Sequence, residues 1–193
     1  MPVLEINAIS KSYGKIRALE NVSFNIPKGS VFGLLGPNGS GKTTLLSIVL
    51  DVLQANSGVY KWFGESPTYL HRKKIGSLLE TPNLYHYLTA VQNLRITQTI
   101  SGRGNEGDIH AVLEKVNLHE RKNSRFSTYS LGMKQRLAIA RAIYGLPKYV
   151  VMDEPNSNLD ELGENALVKT VQALKANGST VVITTHRPRL VGV

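Results

Sequence analysis

The chain has 193 residues, of which 41% are hydrophobic and 19% charged, which suits one soluble globular domain, or a core with an inserted lobe, and excludes a disordered chain. Cysteine is absent, excluding disulfides and thiolate metal sites and suiting a reducing cytoplasm, and neither a secretory signal nor an apolar run of roughly eighteen residues is present. The charge of +9 is spread along the sequence, and its densest clusters, Arg72 to Lys74 and Arg121, Lys122 and Arg125, lack interleaved aromatics, so no nucleic-acid partner is expected.

In chain order, Val22, Phe24 and Ile26 alternate with Ser23 and Asn25, the period of a strand with one exposed face. This strand is expected to pair antiparallel with another around Val3 to Ile9. Val31 to Leu35, Tyr149 to Met152 and Val181 to Thr184 are apolar almost throughout, as strands covered on both faces of a parallel sheet are. Thr44 to Leu53 is apolar nearly all round and predicts a helix against that sheet. Helical periodicity recurs at Val91 to Ile100, Ile109 to Val116 and Met133 to Tyr144, with a turn over Ser101 to Gly107. Leu162, Ala166, Leu167, Val171 and Leu174 form the stripe of a last helix, stopped by Asn177 and Gly178.

Gly36, Pro37, Asn38, Gly39, Ser40, Gly41, Lys42 and Thr43 follow an apolar strand and open a helix, the context of a phosphate-binding loop. The glycines let the backbone curl so that its N–H groups, joined by the helix N-terminus, converge on phosphate oxygens. Lys42 would neutralise the β and γ phosphates of ATP, and the Thr43 hydroxyl would ligate Mg²⁺. Thr44 continues the loop into the helix. A second apolar strand ends in Asp153 and Glu154, which at the C-terminal edge of a parallel sheet would share the loop's crevice. Asp153 is expected to hold Mg²⁺ through water, and Glu154 to orient and deprotonate the attacking water.

Ser130, Gly132, Gln135 and Arg136 stand shortly before these carboxylates, and this stretch resembles the signature motif of ATP-binding-cassette (ABC) ATPases. Tyr129 replaces the motif's Leu, and Leu131 and Met133 depart from its Gly and Gln. The resemblance implies a P-loop NTPase of ABC type: a mainly parallel α/β core (1–85 and 147–193), an antiparallel N-terminal β subdomain and an inserted helical lobe (86–146). It also implies that Tyr13 stacks on adenine, that Asp160 lies in the loop crossing to a partner subunit, and that His186 contacts the γ-phosphate. Ser130 and Gly132 would complete the site of a second subunit, so hydrolysis is expected from a head-to-tail pair, of two copies or with a homologous ATPase. A separate transmembrane permease would hold the pair on the inner face of the membrane. Glu80 stands where the family normally has Gln, which is similar to bacitracin- and lantibiotic-type exporters, and it is expected near Mg²⁺ or the attacking water.

Residues from about 140 resemble type I secretion ATPases instead, so a join between Gln135 and Lys148 is expected, with ordinary divergence as the alternative. Relatives continue with further strands and helices beyond the last residue, Val193, so a shortened chain is expected. The alternative function is a domain that binds nucleotide but is catalytically idle.

Overall fold

The alternation read near the N-terminus builds an antiparallel sheet. Strand β1 (Pro2–Tyr13) turns at Gly14 into β2 (Ile16–Pro27), setting Leu4 opposite Ile26, Ile6 opposite Phe24 and Ile9 opposite Val22. A third strand, β4 (Ser57–Trp62), pairs with the other edge of β1 and was not foreseen. Of its residues only Trp62 is fully buried, with Tyr60 partly buried against the same cluster, so β4 is held by backbone pairing and by an anchored indole whose Nε1 donates to the Val49 carbonyl at 2.7 Å. The structure is a computed structural model and describes residues 2–79 and 83–186.

The three apolar runs become β3 (Val31–Leu35), β6 (Tyr149–Asp153) and β7 (Thr180–Thr185). With β5 (Ile75–Leu78) they form a parallel sheet in the order β3-β7-β6-β5. Alternation along β6 and β7 divides the interior. Val150, Met152, Val181 and Ile183 face one apolar cluster, whereas Val151 and Val182 face another. The second cluster takes in the antiparallel sheet and α1 (Lys42–Val49). The first takes in α3 (Ala90–Ser101), α4 (Glu106–Lys115), α5 (Leu131–Ile143) and α6 (Glu161–Ala176). Both faces of the sheet are thus covered, which is why its strands carry no polar alternation.

Two helices depart from the expected pattern. Helix α1 stops at Val49 rather than Leu53, because Asp51 takes φ 59° and the N–H groups of Val52 and Leu53 turn back to the Ser47 carbonyl. Leu162 does not join the α6 stripe. It lies in the first turn and is 73% exposed, whereas Leu167, Val171 and Leu174 are buried. A short helix, α2 (Tyr69–Lys74), leads into β5. There α5 approaches so closely that a Cβ on Gly76 would stand 1.7 Å from the Ala142 carbonyl oxygen, so only glycine fits that strand position.

Candidate functional site

Parallel strands all end at the same edge, and this edge gathers the chemistry. The loop Gly36–Thr43 leaves β3, Asp153 and Glu154 close β6, and His186 follows β7. They meet in a cleft of about 450 Å³, within the range of small-molecule sites, lined among others by Asn38, Gly39, Lys42, Thr43, Asp153 and His186. Gly41, Thr44 and Glu154 line it too, together with Ala18 of β2 and Ser157, which no motif singled out. A groove of about 510 Å³ between α2, β5 and α3 is larger but contains none of the expected site residues.

Gly41 is the N-cap of α1 and takes φ 89°, and a Cβ there would stand 2.3 Å from the Ala18 carbonyl oxygen. No side chain caps this end of α1, so its first N–H groups and the positive end of its dipole are left for a ligand. The Lys42 ammonium donates to the carbonyls of Gly36 at 2.8 Å and Pro37 at 3.0 Å, and it stands 3.6 Å from Glu154 Oε1.

Asp153 is buried, and its two oxygens differ. Oδ1 accepts a hydrogen bond from the Thr184 hydroxyl, whereas Oδ2 has no hydrogen-bond partner. A buried carboxylate oxygen without a donor is costly unless something occupies it, and this one fits a cation at the cleft wall. Glu154 takes φ 43°, a left-handed conformation uncommon for a residue with a Cβ and found at functional sites. Its N–H donates to the Thr184 hydroxyl at 2.9 Å and the Thr184 carbonyl at 3.1 Å. His186 Nδ1 lies 3.0 Å from Glu154 Oε2. Because an ionised carboxylate only accepts, Nδ1 carries the proton there.

Tyr13, Ser130, Gly132 and Asp160 do not line the cleft. Tyr13 ends β1 half-exposed, with the Lys11 ammonium 5.6 Å from its ring centroid. Ser130 is the exposed N-cap of α5, and its hydroxyl accepts from the Met133 N–H at 3.2 Å. Beside it Gly132 packs against the chain, where a Cβ would stand 3.0 Å from the Asn158 carbonyl oxygen. Tyr129, in place of the motif's Leu, is buried and donates from its hydroxyl to the Arg121 carbonyl at 2.7 Å. Asp160 caps α6 and pairs with Arg136 of α5 at 3.0 Å; the Gly163 N–H, then Arg136, hold its carboxyl below the usual range. Glu80 lies outside the described residues. Sequence reasoning missed the braces behind the cleft: Gln135 Nε2 donates to the buried Pro155 carbonyl at 3.1 Å, and the Thr185 hydroxyl to Asn156 Oδ1 at 3.3 Å.

Residues 19–157, most of the chain, match the family model described as ABC transporter. The chain belongs to the ABC transporter family. It is 39% identical over 184 residues to the lantibiotic transport ATP-binding protein SrtF of Streptococcus pyogenes, covering 95% of this chain and 80% of that protein. It is 37% identical to the bacitracin transport ATP-binding protein BcrA of Enterococcus faecalis, covering 95% of this chain and 61% of BcrA. Among solved structures, the dimeric post-hydrolysis state of the ATP-binding cassette MJ0796, bound to ADP and Pi, superposes with a TM-score of 0.88. It is 28% identical, and the match covers 97% of this chain and 90% of that one. The α/β fold of ABC type and the ATP-binding, ATP-hydrolysing chemistry expected from the motifs are therefore those of this chain. Single relatives align straight through the stretch from Gln135 to Lys148, so a join there finds no support.

Proposed function

We propose that the chain energises export, as the ATP-hydrolysing subunit of a transporter like the lantibiotic and bacitracin relatives it resembles. The observation that carries this reading is the single cleft in which Glu154, Lys42 and His186 meet an uncapped helix end. Lys42 and the N–H groups of the loop bind the phosphates, Glu154 orients and deprotonates the attacking water, and His186 holds the γ-phosphate while fixing the Glu154 carboxylate. Mg²⁺ would be held by the Thr43 hydroxyl and Asp153, whose unpartnered Oδ2 fits it, and when bound it neutralises charge on the β and γ phosphates. Tyr13 stacks on adenine, and Glu80 keeps its place beside the metal and water on sequence grounds alone.

Residues 1–85 and 147–193 act as the core and 86–146 as the helical lobe. Ser130 and Gly132 lie outside this chain's own cleft, so they serve the site of a second copy or a homologous subunit packed head to tail, with Asp160 in the crossing loop. Gel filtration tests this directly. A Glu154→Gln chain is expected to double its mass with saturating ATP, and adding Ser130→Glu is expected to hold it monomeric with ATP still bound. A chain that stays monomeric in the first arm sinks the paired site.

Among the described residues no helix is long and apolar enough to cross a membrane, and the proposed permease is a separate polypeptide that carries this subunit on the cytoplasmic face. The larger groove suits its docking. Exposed Tyr69 and half-exposed Tyr85 flank it, and its described walls carry Arg72, Lys73, Arg103 and Arg141 but no carboxylate. Arg103 Nε is buried there without a partner, and burial lowers the pKa of both Arg103 and Arg141. Arg72 is already paired with Asp51, so a permease segment bearing a carboxylate would complement Lys73, Arg103 and Arg141. Lys73→Glu is expected to abolish stimulation of ATP hydrolysis by the permease in reconstituted vesicles. The isolated subunit's own rate should not change.

A further inference from the structure

We propose that Thr184 is the positioning residue of the catalytic edge: its one hydroxyl sets both the metal-facing oxygen of Asp153 and the strained backbone of Glu154. Within β7 the run Val181 to Ile183 is apolar, and Thr184 follows fully buried. A buried hydroxyl is costly unless it is hydrogen-bonded, and valine would serve β-structure equally well.

Here the hydroxyl is used as both donor and acceptor. Parallel pairing sets Thr184 beside Asp153. Its O–H donates to Asp153 Oδ1, so the carboxylate is pinned in one rotation with Oδ2 left unpartnered. The same oxygen accepts the Glu154 N–H at 2.9 Å, and the Thr184 carbonyl accepts it at 3.1 Å. This doubled acceptor offsets the cost of holding Glu154 at φ 43°. One hydroxyl therefore couples where the metal ligand points to where the general base stands. It touches neither nucleotide nor water, and acts through the two carboxylates.

This inference rests on the reading of Asp153 as a metal ligand, and the test separates the two. ATP affinity is measured by calorimetry on the full chain, once with Mg²⁺ and once with EDTA, and the ratio is the readout. Outer partners of metal ligands typically contribute about 10- to 100-fold in metal affinity. Thr184→Val is expected to erase about tenfold or more of the Mg²⁺-linked gain while leaving the EDTA value within about twofold, and Thr184→Ser to keep the gain. A merely structural role would lower both affinities together. If Thr184→Val does not fold, Thr184→Ala provides the same comparison. A full Mg²⁺ gain in the variant without the hydroxyl, alongside a lost gain in Asp153→Asn, overturns the positioning role and leaves Asp153 in place. A Ser variant as impaired as Val also overturns it. If Asp153→Asn itself keeps the full gain, the metal reading fails and this inference with it.

Discussion

Glu154→Gln should bind ATP as well as the parent chain or better, yet hydrolyse it about 10²- to 10⁴-fold more slowly, the usual contribution of a positioned general base. The substitution keeps the side chain's shape and removes its charge and its basicity. Because the residue is held at φ 43° by backbone hydrogen bonds to Thr184, the amide is placed where the carboxylate was. Binding is spared for an electrostatic reason. Glu154 Oε1 stands 3.6 Å from the Lys42 ammonium and competes with the phosphates for it, so neutralising the carboxylate leaves the cation to the nucleotide. His186 loses its 3.0 Å carboxylate partner and retains an amide oxygen in the same place. Steady-state phosphate release together with a nucleotide titration reads both effects. Hydrolysis persisting within about tenfold of the parent would remove Glu154 as the base, and an equally inactive parent would mark the chain as the idle binder.

Much of this site was legible because it sits where parallel strands end. A run such as Tyr149 to Met152 announces a doubly covered strand, and whatever follows it must emerge at the edge shared with the phosphate loop. The phosphate loop and the Asp153–Glu154 pair could thus be brought together from two distant stretches without any knowledge of contacts, whereas His186 was named from the family pattern. Elements held by the backbone were not legible. Strand β4 leaves Val59 exposed and buries only Tyr60, in part, and Trp62, too short an alternation to read, and its place is fixed largely by pairing with β1. The early end of α1 was equally hidden, because Leu50 and Leu53 continue the apolar pattern while Asp51 takes a left-handed conformation. The braces at Thr184, Asn156 and Gln135 left no signal either. A threonine in an apolar strand reads as a β-former, and only the fold shows what its hydroxyl bonds. Tyr13, Ser130, Gly132 and Asp160 were named from the family pattern, and their distance from this chain's own cleft fits residues that serve a ligand or partner not yet docked.

Lys42→Ala is expected to lower ATP affinity by about 100-fold or more and to abolish measurable hydrolysis, with no loss of stability in the nucleotide-free protein. The first half follows from charge. A cation about 4 Å from a phosphate charge is worth about 4 kcal/mol near a protein surface at an effective dielectric constant of about 20, and a part of that suffices for two decades of affinity. The second half makes the prediction specific. Lys42 is the first residue of α1, where a positive charge opposes the helix dipole and costs a few tenths of a kcal/mol or more. Its ammonium is turned back onto the Gly36 and Pro37 carbonyls and toward Glu154, which compensates for that position without making it a good one for folding. A residue that breaks the local rule for helix ends, at the mouth of the cleft, is there for its ligand. The melting temperature of the apo variant should therefore match or slightly exceed the parent's, while calorimetry shows the nucleotide site lost. A large drop in melting temperature would instead mean that Lys42 is a folding contact. Arginine does not restore the site, because its planar fork replaces the compact ammonium that fits between the two loop carbonyls.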